Sequence, residues 1–338
     1  MRSWSFELLD SHDRPLGALD GVTGGSGEIV AQSTLGGSGS LTLDQRGQAI
    51  DWMSNRVRAI FHNGEDSWPW GTYLLSSPSE KHTAFGVTFE VGLLTKMNVI
   101  AEDTVEDRYS LTAGAQIVAT VRDLIVSTGE TRVAVTDSDA VLSSALTWEA
   151  GTSKLRIIND LLQAAGYWSL WCDGSGLFRV EPYVDPSLRP MSYSFEHGET
   201  SVHFPDWTSE RDMTSVPNRF IAVAQGDEET PPLVGVAVNE NPESPFSFQA
   251  RGRWITATEE GVEAESQTVI DTYAARKLRD GMDPVSRLTV THALLQLEQN
   301  ALVQFIPEDG RQRLATVQRM STNFTFDADI AAEWREVL

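Results

Sequence analysis

The chain is poor in cysteine, in basic residues and in long apolar runs, and each shortage removes a class of protein. Its 338 residues include one cysteine, Cys172, which excludes an intrachain disulfide, cysteine-rich zinc sites and iron–sulfur clusters. Lys and Arg number 26 against 48 Asp and Glu, a formal net charge of −22. So acidic a surface does not seek out DNA, RNA or anionic lipid, because phosphate binding needs clustered cations. No apolar stretch reaches the roughly 18 residues of a membrane helix, so no membrane insertion is predicted. Residues 1–7 meet a charge before any apolar run, so no secretory leader is expected. Heptads, internal repeats and low-complexity tracts are missing as well. What remains predicts a soluble, acidic protein of a reducing compartment. Hydrophobic residues at 41% suffice for real cores, and at about 150 residues per domain the length suggests two or three of them.

What is present is strand-forming sequence at both ends and helix-forming sequence between. Over residues 1–105, Trp4-Ser5-Phe6-Glu7-Leu8 alternates apolar with polar, and Leu41-Thr42-Leu43 does so after Gly36-Gly37-Ser38-Gly39. The runs 57–61, 71–76 and 85–94 keep that period of two, separated by turn clusters such as His62-Asn63-Gly64. Short strands at this spacing predict a barrel or sandwich. Within 106–185, Ile117, Val118, Val121, Leu124 and Ile125 recur at helical spacing over 115–127. Leu155, Ile158, Leu161 and Leu162 mark a stronger helix over 153–165, with Ser153 as its cap and Gly166 as its end. Residues 167–171 then read as a strand, Asp173-Gly174-Ser175-Gly176 as a hairpin turn and 177–180 as the returning strand. Over 186–338 strands are expected at 218–225, 233–238, 287–292, 302–306 and 314–325, with one helix at 267–279.

Few residues point to chemistry. Gly24-Gly25-Ser26-Gly27 and Gly36-Gly37-Ser38-Gly39 lack the lysine and helix start of a phosphate cradle and read as turn glycines. Ser26, Ser38 and Ser175 sit among glycines, but none has the surroundings of a nucleophile elbow. His197 and His203, near Glu196, Glu199 and Asp206, could in composition hold a metal, yet read as solvated turn residues. Glu102-Asp103 with Glu106-Asp107 is the densest acid cluster, and hydrated repulsion rather than a catalytic pair is the expected state. The ten tryptophans cluster at Trp68-Pro69-Trp70 and Trp168-Ser169-Leu170-Trp171. They read as core and interface packing, with sugar stacking the alternative. In the second cluster an offset of three along a strand predicts at most one core ring.

Ordered motifs carry a resemblance. Pro217-Asn218-Arg219 leads a β-forming run to Gly226-Asp227, and Val236-Ala237-Val238-Asn239-Glu240 leads to Asn241-Pro242-Glu243-Ser244-Pro245 and Gly252. Upstream stand Gly166-Tyr167 and Asp173-Gly174-Ser175-Gly176, and before them Ile50-Asp51-Trp52 and Trp68-Pro69-Trp70-Gly71-Thr72-Tyr73. In this order and spacing the chain resembles baseplate hub proteins of tailed phages, particularly minor tail proteins of siphophages infecting actinobacteria. The resemblance implies a mainly β fold with an α+β insert: two tail-tube-like β-barrel domains, 1–105 and 186–338, flanking a small α+β domain, 106–185. It implies a homotrimeric ring at the virion's tail tip that adapts a six-fold tube to three-fold components around the DNA exit channel. Its partners would be the distal tail protein ring or tail tube, the C-terminus of the tape-measure protein, and further minor tail or fibre proteins. Viral DNA would pass without specific binding. The family positions Gly166, Tyr167, Asp173, Gly174, Gly176, Pro217, Asn218, Arg219, Gly226, Asn241, Pro242, Ser244 and Pro245 would be structural, with no catalytic residue, metal or cofactor. The chain's stop at Leu338 leaves out the extension in which relatives carry a wall hydrolase, so no enzyme is expected. The alternative is a carbohydrate- or receptor-binding minor tail protein on the host-facing side, and a third reading, a wall hydrolase with a carboxylate pair, lies further off.

Overall fold

The computed structural model describes residues 2–31, 33–44, 46–84, 86–211, 213–224, 232–262, 266–282 and 286–337. The fold is mainly β with a few helices. Two compact units divide it: one holds the chain up to Trp207 together with Thr289–Val337, the other Thr208–Leu288.

In the first unit the opening segment supplies β1 (Arg2–Leu9), β2 (Pro15–Ala18), β3 (Val22–Val30), β4 (Gly37–Asp44), β5 (Arg56–Asn63), β6 (Asp66–Thr83) and β7 (Gly86–Thr95), in the sheet order β3-β4-β7-β6-β5-β1-β2. Alternation puts Leu41, Leu43, Val57, Ala59, Phe61 and Val91 inside. The glycine runs are not turns, as their composition suggested. Gly24–Gly27 lie in β3 and Gly37–Gly39 in β4, paired with each other. A Cβ on Gly27 would fall 2.5 Å from Trp70 Nε1 and 2.9 Å from the Phe324 ring, so the bare backbone makes room for aromatic side chains. Gly36, at φ +74°, lies outside the strands, where the chain turns from β3 into β4.

The middle segment folds as α1 (Met97–Glu102), β8 (Tyr109–Leu111), α2 (Ile117–Ser127), β9 (Val133–Val135), β10 (Leu146–Trp148), α3 (Lys154–Ala164), β11 (Trp171–Cys172) and β12 (Phe178–Val180). The apolar stripes of α2 and α3 are buried in one core with Phe178 and Val180. Ser153 caps α3, its Oγ accepting from Arg156 N–H at 3.3 Å. β11 and β12 form the expected hairpin, and β12 runs parallel to β9. The strand predicted over 167–171 shrinks to β11. Leu170 N–H donates to Asn159 Oδ1 at 2.9 Å, so a side chain of α3 takes the amide that a ladder would have used.

The chain continues through β13 (Met191–Glu196) and β14 (His203–Arg211) into the second unit. There β15 (Arg219–Ala224) lies between β16 (Val234–Val238) and β17 (Thr256–Val262), with a short α4 (Phe248–Arg251) and the longer α5 (Gln267–Gly281). Ile270, Ala274 and Leu278 of α5 pack on Phe220, Ala222 and Ala224, whereas Thr268 faces water. A Cβ on Gly235 would sit 2.5 Å from Ile270 O, so glycine lets helix and strand backbones meet.

The chain then closes the large sheet with β18 (Ser286–Ala293), β19 (Leu302–Ile306), β20 (Arg313–Asn323) and β21 (Asp329–Glu336). β19 runs antiparallel to β20 and parallel to β13, and Phe195, Phe305, Ile330 and Trp334 fill the interior. β20 also pairs with β3, matching Met320 to Ile29 and Ser321 to Glu28. The two ends of the chain are thereby joined in one 13-stranded sheet.

Candidate functional site

The densest polar construction is a buried ring of four charges. Asp13 comes from the β1–β2 turn, Arg56 from β5, Lys96 from the residue before α1, and Glu130 from the loop after α2. Arg56 donates to Asp13 Oδ1 at 2.8 Å and Glu130 Oε1 at 2.6 Å. Lys96 Nζ lies 2.6 Å from Asp13 Oδ2 and 2.8 Å from Glu130 Oε2, and it donates to Gly176 O at 2.8 Å. Three ammonium protons thus meet three acceptors. Burial pushes the Asp13 carboxyl up, but Lys96 and Arg56 outweigh it and hold it below the usual carboxylate range. Two acids against two bases leave the ring neutral, the condition under which buried ions are tolerated.

The hairpin turn signalled by Asp173, Gly174 and Gly176 docks on this ring. The Asp173 carboxylate accepts from the Ser175 and Leu177 amides and from Arg179 Nε at 2.9 Å. Burial raises its pKa, but these bonds prevail and lower it. The Gly174 carbonyl accepts from Thr72 Oγ1 at 3.0 Å, and the Ser175 carbonyl from Arg132 at 2.8 Å and Arg58 at 3.1 Å. Side chains are excluded here: a Cβ on Gly174 would lie 2.2 Å from Pro69 O. Gly176 has φ +85°, and a Cβ there would press on Thr72 at 3.2 Å. Gly166 ends α3 at φ +71°, and Tyr167 donates to Thr136 O at 2.8 Å. The ring itself left no sequence signal, since its members come from four separate segments.

The other family positions cluster in the second unit. Asn218 is fully buried; its Nδ2 donates to Arg253 O at 2.9 Å and its Oδ1 accepts from Ile255 N–H at 2.8 Å. Its carbonyl accepts from Asn239 N–H, and Asn239 Nδ2 donates to Ser244 Oγ at 2.9 Å. Asn241 Oδ1 accepts from Glu243 N–H, while Pro242 and Pro245 are exposed on the loop so formed. Arg219 lies over Trp254, which stacks on Phe248 at 4.4 Å. Pro217 packs near Gly281, 3.1 Å from where a Cβ there would be. Gly226 lies outside the described residues. Asn239, part of the motif though not among its thirteen named structural positions, is the centre of this loop.

The other candidates go elsewhere. His203 is not a solvated turn residue: it is buried in β14, with Nδ1 2.9 Å from Ser201 Oγ. Among the described residues no three His, Cys, Asp or Glu side chains are grouped to hold a metal ion. Asp103 of the acid cluster pairs with Lys154 at 2.7 Å. Burial pushes the Cys172 thiol up to about 12, which keeps it protonated and a poor nucleophile at neutral pH. Trp68 and Trp70 are core residues, while Trp168 and Trp171 are both half-buried around a buried Leu170.

No family model matches the chain, and no curated protein matches it. Solved structures do. A tail protein from Neisseria meningitidis superimposes with a TM-score of 0.71 at 11% identity, covering 99% of this chain and 97% of that one. The fold is that of phage tail proteins. The 43 kDa tail protein of prophage MuSo2 from Shewanella oneidensis gives 0.66 at 11% identity, covering 98% of each chain. A type VI secretion component of Escherichia coli, described as similar to the T4 tail proteins gp27 and gp5, gives 0.54 at 11% identity over 94% of this chain and 73% of its own.

Proposed function

We propose that this chain is a structural hub at the distal tip of a long phage tail, without enzymatic activity. The observation that carries the reading is the near end-to-end likeness to two tail proteins, each covered almost completely. Three copies form a ring around the DNA exit channel, with the strand-rich segments 1–105 and 186–338 acting as two tube-like barrels per chain. Three such chains offer six barrels to a six-fold tube. The ring contacts the distal tail protein or tube above and tape-measure and fibre components within and below. Acid excess suits a part that DNA passes without sticking, because adhesion to DNA comes from Lys and Arg neutralising phosphates.

The test is light scattering together with electron microscopy of the purified chain, alone and mixed with tail tubes. Three-fold rings, or threefold caps on tube ends, are the expected result. A protein that stays monomeric and leaves tube ends bare would overturn the proposal.

A further inference from the structure

Two cavities flank one loop of the first unit, the stretch Leu294–Asn300 between β18 and β19. Leu294 and Leu297 are buried and anchor it. Asn300 N–H donates to Val317 O at 2.8 Å, and its carbonyl accepts from Arg189 at 2.5 Å. With its apolar members fixed inward, the loop lends Gln296, Glu298 and Gln299 to the lining of both cavities. Trp171 of β11 lines both as well. One cavity, of about 310 Å³, runs back toward Trp68, Asp173 and Arg179. The other, of about 580 Å³, is bounded by Trp168, Glu181, Pro182 and Arg189. Both volumes fall in the range of small-molecule sites, roughly 300 to 1,000 Å³.

The lining selects a chemistry. Both guanidinium groups of the lining are already committed. Arg179 pairs with Asp173 at 2.8 Å and Glu181 at 3.6 Å. Arg189 is spent on the Val184 and Asn300 carbonyls and lies 4.4 Å over the Trp168 ring. Lys96, which also lines the smaller cavity, is held by Asp13 and Glu130, so among the described lining residues no uncommitted cation is left for a phosphate or carboxylate. Trp168 is closed off further by Tyr183, 4.6 Å away, whereas Trp171 has only the more distant Arg179 guanidinium, 6.0 Å from its ring centroid, so Trp171 is the less covered of the two indoles. The amides of Gln296 and Gln299 are engaged with no other described residue, and a planar amide presents a donor and an acceptor side by side. An aromatic face flanked by free amides suits a ring with an apolar face and a rim of hydroxyls.

We propose that this cleft binds a neutral saccharide, with Trp171 as the stacking surface and Gln296 and Gln299 as partners of its hydroxyls. The site stands whether or not the chain forms a tail-tip ring.

The experiment is titration of the full chain with short oligosaccharides of glucose, galactose, mannose and rhamnose, read by tryptophan fluorescence and calorimetry. Hyaluronate and oligolysine serve as anionic and cationic comparisons. At least one neutral series is expected to bind, and Trp171→Ala to weaken it about tenfold, as loss of one stacking contact should. Trp171→Phe keeps part of the affinity, and Trp254→Ala, in the other unit, leaves it unchanged. Should Trp171→Ala fail to fold, the Gln296→Ala/Gln299→Ala double variant decides, since both side chains are outside the core. No binding by any neutral series overturns the proposal, as does binding of oligolysine or hyaluronate alone. So does full affinity in a folded Trp171→Ala or double variant.

Discussion

His292 has no exposed surface. Its Nδ1 lies 2.8 Å from Ala293 O, its ring packs against Phe195 and Trp334, and its Nε2 has no partner among the described residues. Burial pulls its pKa from 6.5 down to about 4, with His203 adding to the fall against the Ala293 bond. The folded protein therefore keeps this imidazole neutral where the unfolded chain takes a proton. Above pH about 6.5 neither state is charged and the full stability is present; as pH drops toward 4 only the unfolded state gains, at a cost of about 3 kcal/mol. Urea midpoints measured from pH 7 to 4 should fall accordingly, and His292→Phe should remove that part of the slope. A slope unchanged in the variant would show that the imidazole does not carry it. The same residue shows a limit of reading sequence: His292 looks like any strand histidine until the rings around it are placed.

At the scale of elements, the four-charge ring ties β5, the β1–β2 turn and the start of α1 to the hairpin β11–β12. Lys96→Met keeps the side chain's length but leaves Asp13, Glu130 and the Gly176 carbonyl short of a donor. Breaking a buried ion pair by removing one partner costs about 3–5 kcal/mol, and a loss of that size should appear in urea unfolding of the variant. A change below about 1 kcal/mol would show that water reaches the ring. Elements held by local periodicity were legible: α2, α3, α5 and β19 lie where their stripes placed them, because a helix or strand with one apolar face needs no distant partner to declare itself. β14, with Pro205 inside it, and β17, with Glu259 and Glu260, were not. Their sequences carry weak β signals and become strands because a neighbouring ladder takes their backbone groups.

For the molecule as a whole, the β3–β20 pairing makes the first and last segments parts of one sheet. Trp70, buried in the opening segment, and Trp334, buried in the closing one, should then report a single transition. Urea curves of variants retaining one or the other indole as the probe should share a midpoint. Separate midpoints would mean that the segments unfold independently. Composition and periodicity alone determined that this is an acidic, mainly β chain with a helical middle, and the order of motifs pointed to tail proteins. Both are properties of neighbouring residues, or of sums over all of them. Tertiary structure decided which charges meet in the buried ring, why glycines line β3 and β4, and how two remote ends share one sheet. Those outcomes rest on contacts between residues tens to hundreds of positions apart, and such contacts leave no local pattern for a sequence to display.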